Sequence, residues 1–273
     1  MDLFQAIVIA IVEGLTEFLP VSSTAHMIFT SSLFGNQDDE FVKLFQVSIQ
    51  FGAILAVVVL YYKKFFNIGN LKFYAKLAFA VLPALVLGVL FDDYIEAVLE
   101  KPVPIAIVLI LGGVFLLFID KIFVGKHKID DEKGISFKKA IIIGFWQCLA
   151  MMPGTSRSAA SIIGGMQQGL GMKLAAEFSF FLAVPTMLAV TMYSVFIKGW
   201  KIGENELKGY EIILQDNNLM AFIVGNLVAF GVAMLAISFF IGILKKFGFR
   251  IWGWYRIISG IAFLIWYLLY ATS

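Results

Sequence analysis

The chain has 273 residues, of which 60% are hydrophobic and 15% charged, with a formal net charge of +2. An ordinary soluble domain has about half apolar and about a quarter charged residues, so this composition and the mean hydropathy of +0.90 exclude that class and indicate an integral membrane protein. The balanced charge offers no broad basic surface for nucleic acid, and the single Cys148 excludes a disulfide framework.

The N-terminal stretch, residues 2–34, is apolar but carries Glu13 and Glu17 and is interrupted by Pro20. It has no basic start and no small-residue cleavage site, so we do not interpret it as a signal peptide. An ionisable side chain at membrane depth costs about 3 kcal/mol or more. The two glutamates therefore indicate a functional segment rather than an ordinary membrane-spanning helix.

Six later stretches approach the length of about 20 mainly apolar residues that a spanning helix needs. They are residues 44–62, 74–91, 104–119, 174–197, 218–243 and 252–271. Another apolar stretch, residues 140–172, is interrupted by Pro153 and Gly154. Irregular backbone inside a membrane is tolerated only where protein or a wet cavity surrounds it. We therefore predict that residues 2–34 and 140–172 form re-entrant helix-turn-helix hairpins.

Charges between the apolar stretches predict one alternating topology, because Lys and Arg favour the cytoplasmic side. The loops at 63–76 and 120–139 are rich in lysine and are predicted inside, as is the turn near 245–256, which contains Lys245, Lys246, Arg250 and Arg256. Acidic residues 38–40 and the loops at 92–103 and 198–217 are predicted outside. Both termini are then expected outside.

The two halves of the chain match weakly in sequence at a constant offset of 133 residues. The offset pairs Pro20 with Pro153, Ser23 with Ser156, and Phe45 with Phe178. We predict an all-α integral membrane protein with one membrane domain, residues 1–273, containing repeats at about 1–125 and 135–273. Each repeat would be a re-entrant hairpin plus three spans, and the odd number of spans inverts the second copy. Inverted repeats commonly place a polar site near the midplane.

The first candidate site motif contains Glu13 and Glu17, which are four residues apart and share one face of a helix. Paired carboxylates can bind Mg²⁺ or Ca²⁺, and Mg²⁺ is usually shared with substrate phosphates. The alternative is a surface helix with two solvated acids, which the apolar surroundings disfavour. The motif therefore predicts a metal site.

Hydroxyl groups follow at Ser22, Ser23 and Thr24, where Pro20 ends the helix. Hydroxyls and free backbone N–H groups before a new helix suit an anion. His26 could act as nucleophile, general acid or general base, although a lone histidine is more often a core group. His127, in a charged loop, is interpreted as solvated.

The second hairpin contributes Thr155, Ser156, Arg157 and Ser158. An arginine in apolar surroundings needs an anionic partner, and its planar fork matches phosphate oxygens. The alternative is a structural ion pair between Arg157 and Glu13 or Glu17, which is compatible with catalysis. Acids, hydroxyls, a histidine and an arginine together favour metal-assisted phosphoryl transfer. Gly112 and Gly113 are interpreted as helix-packing positions, and Trp200 and Tyr255 as aromatic residues of the membrane interface.

These residues resemble the undecaprenyl-diphosphate phosphatases, the bacitracin-resistance phosphatases, along the whole chain. The resemblance is carried by EGLTEFLPVSST at 13–24 with His26, by QCLAMMPGTSRS at 147–158, and by EFSFFLAVPTM at 177–187. Ala25 and Ala159 stand where we would expect glycine, and alanine fits there if the backbone is helical.

The resemblance implies hydrolysis of undecaprenyl diphosphate to undecaprenyl phosphate and inorganic phosphate, with a divalent cation and an outward-facing site in the bacterial plasma membrane. It gives Glu13 and Glu17 as the acidic motif, Ser23 and His26 as the proposed catalytic pair, and Arg157 as the motif arginine. It also implies that bacitracin competes for the lipid, and it allows a homodimer. The rival hypotheses are a transporter or flippase of prenyl phosphates, and a structural scaffold.

Overall fold

The computed structural model describes residues 1–66, 71–91, 101–123, 128–215 and 218–271. The acidic residues predicted in the 92–100 segment, and His127, lie outside these ranges. The helices are α1 Leu3–Thr16, α2 Ser23–Leu33, α3 Glu40–Leu60, α4 Tyr62–Phe65, α5 Leu71–Leu90, α6 Pro102–Phe123, α7 Phe137–Cys148, α8 Arg157–Gln167, α9 Met172–Met192, α10 Gly209–Ile213, α11 Asn218–Phe247 and α12 Arg250–Trp266. Short 3-10 turns at Glu132–Gly134 and Leu149–Met151, and π-helical turns at Tyr193–Ile197 and Tyr267–Ala271, complete the helical structure.

Within the part of the chain that the structure describes, six helices are long and apolar enough to cross a membrane, which confirms a polytopic all-α membrane fold. They are α3, α5, α6, α9 with its π-helical turn, α11 and α12. Each coincides with one of the six apolar stretches. The apolar length of the sequence was therefore sufficient to predict every span.

The two interrupted stretches each form a pair of short helices joined by a turn, as predicted. The first pair is α1 and α2, with 14 and 11 residues, and the second is α7 and α8, with 12 and 11 residues. At about 1.5 Å per residue, even α1 reaches only about 21 Å, less than the roughly 30 Å of a hydrocarbon core. Neither pair contains a helix that spans the membrane alone.

The first helix of each hairpin packs closely against a span from the other half of the chain. Helix α1 packs on α11, where a Cβ on Gly14 would lie 2.7 Å from the Ala229 carbonyl oxygen. Helix α7 packs on α5, where a Cβ on Gly144 would overlap the Ala80 carbonyl. This exchange of partners is what a duplication predicts. The inverted relation and the repeat limits at about 1–125 and 135–273 stay predictions.

A small β-hairpin is an addition to the predicted all-α structure. Strands β1, Gly199–Ile202, and β2, Asn205–Lys208, pair antiparallel. Gly203 adopts φ +62°, the positive value that a two-residue hairpin turn needs at its first position. Trp200, predicted at the membrane interface, is instead buried and donates to the Ser194 carbonyl at 2.9 Å.

Arg256 also differs from its sequence interpretation, which counted it among cytoplasmic loop charges. It lies in the second turn of α12, and its side chain is only 1% exposed. The span begins at Arg250, six residues before Arg256, so the loop that orients this span does not include Arg256. Gly113 is the packing position that we predicted, since a Cβ there would lie 2.8 Å from the Gly253 carbonyl oxygen of α12.

Candidate active site

The second helix of each hairpin begins with a serine in the left-handed region of backbone conformation. Ser22 has φ 70° and Ser156 has φ 76°, and they are the non-glycine residues with positive φ among those the structure describes. The Ser22 hydroxyl accepts from the Ala25 amide and the Ser156 hydroxyl from the Ala159 amide. The turns are thus equivalent at an offset of 134 residues. The offset of 133 predicted from the sequence pairs Ser23 with Ser156, whereas the structure makes Ser22 the equivalent of Ser156.

Ala25 and Ala159 occupy the third positions of α2 and α8, both in helical backbone. Neither has a positive φ. A glycine is therefore not required by backbone conformation at either position, and the alanines fit as we expected for helical residues.

Glu17 and Arg157 join the two hairpins through a buried ion pair. Glu17 Oε1 accepts from Arg157 Nε at 3.2 Å and from Nη2 at 3.0 Å. Glu17 Oε2 accepts from the Ser23 hydroxyl at 2.6 Å. The structure therefore brings Arg157 of the second hairpin to Glu17 and Ser23 of the first, and the ion pair is the one that we considered as the alternative role of Arg157.

Two serines of the second hairpin also contact the first hairpin. The Ser158 hydroxyl donates to the Leu19 carbonyl at 2.7 Å, and Ser156 Oγ lies 3.4 Å from the same oxygen. Arg157 Nη1 donates to the Ser179 carbonyl of α9 at 3.0 Å. These contacts hold the N-termini of α2 and α8 next to each other, where their free N–H groups favour an anion.

Glu13 lies on α1, one helical turn before Glu17, and is fully buried. Neither of its carboxylate oxygens has a hydrogen-bond partner among the described residues. Such a group needs a proton or a cation, so the donor set fits the predicted Mg²⁺ or Ca²⁺. Among the described residues, no group of three or more histidine, cysteine or acidic side chains is arranged so that it could hold a metal ion. Substrate oxygens would have to complete the coordination, as is usual for Mg²⁺.

A cavity of about 520 Å³ opens beside the ion pair. Its polar wall contains six predicted site residues and neighbours in the same turns, namely Glu17, Ser22, Ser23, Thr24, Ser156, Arg157, Pro153 and Gly154. Its lining also includes Gln37, Asp38, Lys43, Lys198 and Trp200, and an apolar wall is formed by Ala84, Leu85, Gly88 and Val89 of α5 with Met187, Ala189 and Val190 of α9. One cavity thus connects a polar end, an apolar wall and segments predicted on the outer face.

Four predicted site residues do not line this cavity, namely Glu13, His26, Thr155 and Ser158. Glu13 lies behind Glu17, and Ser158 bonds to Leu19. Thr155 contributes its backbone carbonyl, which accepts from Arg256 Nη1 at 2.9 Å.

His26 has polar contacts on both ring nitrogens, and neither contact is with another predicted catalytic residue. Nδ1 lies 2.8 Å from the Ser22 carbonyl oxygen, which can only accept, so Nδ1 carries the proton. Nε2 lies 3.0 Å from the Tyr255 hydroxyl, and the two rings stack 5.5 Å apart. Tyr255, predicted as an interfacial aromatic residue, is exposed and also holds the histidine ring in place.

Two neighbouring residues of α12, Tyr255 and Arg256, were missed by sequence reasoning about the site. Both reach residues of the interrupted turns, Tyr255 through His26 and Arg256 directly. A signal was present, because Arg256 lies inside the apolar stretch 252–271, and a charge at membrane depth is a functional hypothesis by default.

Comparison with known proteins identifies the family of the chain. The chain matches a family described as Bacitracin resistance protein BacA over residues 6–262. It is 50% identical over 265 residues to the undecaprenyl-diphosphatase of Flavobacterium johnsoniae, covering 97% of this chain and 96% of the relative. It is 51% identical over 268 residues to that of Flavobacterium psychrophilum, with 97% and 96% covered, and 47% identical over 277 residues to that of Porphyromonas gingivalis, with 95% of each covered. With matches along nearly its whole length, the chain belongs to the BacA bacitracin resistance family.

Proposed function

We propose that the protein hydrolyses undecaprenyl diphosphate to undecaprenyl phosphate and inorganic phosphate, and so returns the carrier lipid to cell-wall synthesis. The observation that carries this proposal is the buried Glu17, Arg157 and Ser23 group, which lies in a cavity with an apolar wall. The Flavobacterium relatives, which are about half identical to this chain, are named undecaprenyl-diphosphatase. Bacitracin resistance is a property of the family.

Arg157 is suited to bind the diphosphate. Three of its five N–H groups are used, by Glu17 Oε1 twice and by the Ser179 carbonyl. Two remain for phosphate oxygens, and the adjacent N-termini of α2 and α8 add backbone donors. Ser22, Ser23, Thr24 and Ser156 line the same end of the cavity, and Thr155 and Ser158 support it from behind.

The prenyl chain leaves the cavity between α5 and α9. Leu85 and Val89 of α5 and Val190 of α9 line the cavity and also expose 39%, 69% and 39% of their surface. In a membrane, such exposed apolar residues face lipid. A polyprenyl tail can therefore pass from the site into the bilayer between these helices while the diphosphate stays in the polar end.

Ser23 is the proposed nucleophile. Its hydroxyl donates to Glu17 Oε2 at 2.6 Å, so Glu17 is placed to accept the proton as Ser23 Oγ bonds to the terminal phosphorus. The bond from that phosphorus to the bridging oxygen breaks, and undecaprenyl phosphate leaves. Water then cleaves the phosphoserine, which releases inorganic phosphate and restores the hydroxyl. His26 acts through the Ser22 carbonyl, at the start of the helix that carries Ser23.

Glu13 and Glu17 are the residues that would hold Mg²⁺ or Ca²⁺. Such a cation would neutralise charge on the diphosphate. Support for this role comes from the two carboxylate oxygens of Glu13, which have no hydrogen-bond partner in the described ranges of the chain. Glu17 lines the cavity, whereas Glu13 is fully buried behind it.

The site faces the outer side of the bacterial plasma membrane. Support comes from the cavity lining, which includes Gln37 and Asp38 and also Lys198 and Trp200. Both segments are predicted outside from loop charge. Bacitracin would compete for the same lipid on that side, and a homodimer stays a prediction.

The orientation can be tested by placing a cysteine at Glu204, which is exposed in the β-hairpin. In a Cys148→Ser background, labelling of Glu204→Cys by a membrane-impermeant maleimide in intact cells supports the outward site. Labelling only after lysis would contradict it.

The hydrolysis is tested by phosphate release from undecaprenyl diphosphate by detergent-purified protein, with Mg²⁺ or Ca²⁺ and with EDTA. We compare Glu17→Gln with Glu204→Gln, a matched change at an exposed glutamate. Metal-dependent release that is lost only in Glu17→Gln supports the proposal. No release by well-folded protein would reject it and favour the transporter hypothesis. An acid-stable phosphate on Ser23 in quenched reactions, absent in Ser23→Ala, supports the serine as nucleophile.

A further inference from the structure

Arg256 is a buried cation whose hydrogen bonds within the described residues all go to backbone carbonyls. Nε donates to Leu109 at 3.2 Å and Nη2 to Gly154 at 2.6 Å. Nη1 donates to Thr155 at 2.9 Å and contacts Pro20 at 3.4 Å. A charge within a span is costly unless it has such partners. No carboxylate among the described residues pairs with Arg256, so we do not assign it a role in an ion pair.

Three of these carbonyls belong to the interruptions of the two hairpins. Pro20 lies in the first turn, and Gly154 and Thr155 lie in the second. A carbonyl released from a helix inside a membrane must find a donor in the protein. One guanidinium supplies donors to both turns, and it therefore connects the two turns that hold Glu17, Ser23 and Arg157.

Gly112 of α6 leaves the space that this guanidinium occupies. A Cβ at Gly112 would overlap Nη2 and lie 2.8 Å from Cζ of Arg256. An alanine there would force the Arg256 guanidinium to move, because the added methyl group would occupy the same space. Gly112 and Arg256 are thus two separate positions that act on one set of contacts.

We infer that Arg256 is a positioning residue for the hydrolysis, because its guanidinium joins the two turns and holds Ser23, Glu17 and Arg157 in one geometry. Pro20 is three residues from both Glu17 and Ser23, and Thr155 is two residues before Arg157. A shift of either turn therefore displaces reacting or binding groups. The expected change in kcat rests on the proposed function. The connection between the two turns does not.

The test compares Arg256→Lys, Arg256→Met and Gly112→Ala with two matched controls. Arg250→Lys changes an exposed arginine of the same helix, and Gly231→Ala changes a glycine of α11 with nothing within 4 Å of an added Cβ. Two quantities are measured on purified protein, the kcat and KM for undecaprenyl diphosphate, and hydrogen–deuterium exchange of peptides covering residues 18–26 and 152–160.

We expect Arg256→Lys and Gly112→Ala to lower kcat about 100-fold, since a displacement of about 1 Å can cost that much, with KM changed by less than roughly threefold. Exchange should rise in both turns and not in α3. The double variant Gly112→Ala with Arg256→Met should be no worse than Arg256→Met alone, because both act on the same contacts. The controls should match wild type.

Wild-type kcat in Arg256→Lys and Arg256→Met would overturn the inference, as would unchanged exchange in the turns. Increased exchange across all spans in both Arg256→Lys and Gly112→Ala would also overturn it, because the effect would then be on the whole fold. If the wild-type protein releases no phosphate, the proposed function fails. In that case, hydrogen–deuterium exchange of residues 18–26 and 152–160 still tests the connection between the turns.

Discussion

Glu17 and Arg157 are 140 positions apart, and Glu17 Oε1 accepts two hydrogen bonds from the Arg157 guanidinium. Both side chains are almost fully buried, at 4% and 6% exposed. Removing one partner of a buried pair typically costs about 3–5 kcal/mol, because the other charge is left uncompensated, whereas apolar replacement of both can be close to neutral.

We therefore expect Arg157→Met to destabilise the protein by about 3–5 kcal/mol, and Glu17→Met with Arg157→Met to destabilise it less. Both variants should lack activity. Unfolding in mixed micelles as a function of the SDS fraction measures the difference. Equal destabilisation by the single and double variants would contradict an energetically coupled pair.

Ser156 holds a backbone conformation that glycine adopts more readily. Its φ is 76°, and its hydroxyl caps α8 by accepting from the Ala159 amide. Glycine at a helix N-cap costs only a few tenths of a kcal/mol relative to serine, whereas alanine costs about 1 kcal/mol and keeps the unfavourable positive φ. We expect Ser156→Gly to be more stable than Ser156→Ala in the same unfolding assay. The reverse order would show that the backbone at this turn rearranges.

The spans and hairpins followed from the sequence, but the details of the turns did not. Apolar length locates the spans, and Pro20 and Pro153 locate the interruptions, because both are local properties. A positive φ is expected at glycine, so nothing in the sequence marked Ser22 and Ser156. Charge alone narrowed the partner of Arg157 to Glu13 or Glu17, and the choice between them required the tertiary contact of the two hairpins.

Arg256 shows a different kind of error. It was counted with Lys245, Lys246 and Arg250, which precede it by 11, 10 and 6 residues. The predicted span, residues 252–271, already contained Arg256, so an uncertain helix boundary does not explain the error. The error was to count a charge inside the span among those of the preceding turn, although a charge at membrane depth indicates a functional role.

Glu13 gives a prediction about metal that does not depend on turnover. Its carboxylate oxygens have no hydrogen-bond partner among the described residues. Mg²⁺ or Ca²⁺ bound there should stabilise the folded protein by about 2.7 kcal/mol at 100 times Kd. We expect the cation to raise the thermal unfolding temperature of the wild type and of Glu204→Gln, but not of Glu13→Gln. An equal rise in Glu13→Gln would remove Glu13 from the metal site.

Ala25 and Ala159 should not limit activity. Both are helical and buried, and glycine within a helix is less stable than alanine by roughly 0.5–1 kcal/mol. We expect Ala25→Gly and Ala159→Gly to lower stability by about that amount without raising kcat. A large gain in phosphate release would instead mean that the backbone must approach the substrate more closely than these methyl groups allow.

His26 is the predicted catalytic residue whose role the geometry changes most. Its ring is held between the Ser22 carbonyl and the Tyr255 hydroxyl, and it does not line the cavity. A general acid or base typically contributes about 10²–10⁴-fold to the rate. A residue that only steadies the start of α2 should contribute less and should not set a limb of the pH–rate profile.

We expect His26→Ala to lower kcat by less than about 100-fold and to leave the shape of the pH–rate profile unchanged. Tyr255→Phe should have a smaller effect, because it removes one hydrogen bond and keeps the stacked ring. Ser23→Ala, measured in parallel, should lose far more activity than either. A loss in His26→Ala as large as in Ser23→Ala, together with the disappearance of one limb of the profile, would return His26 to the chemical step. In that case the ring must turn away from Tyr255 when the substrate binds.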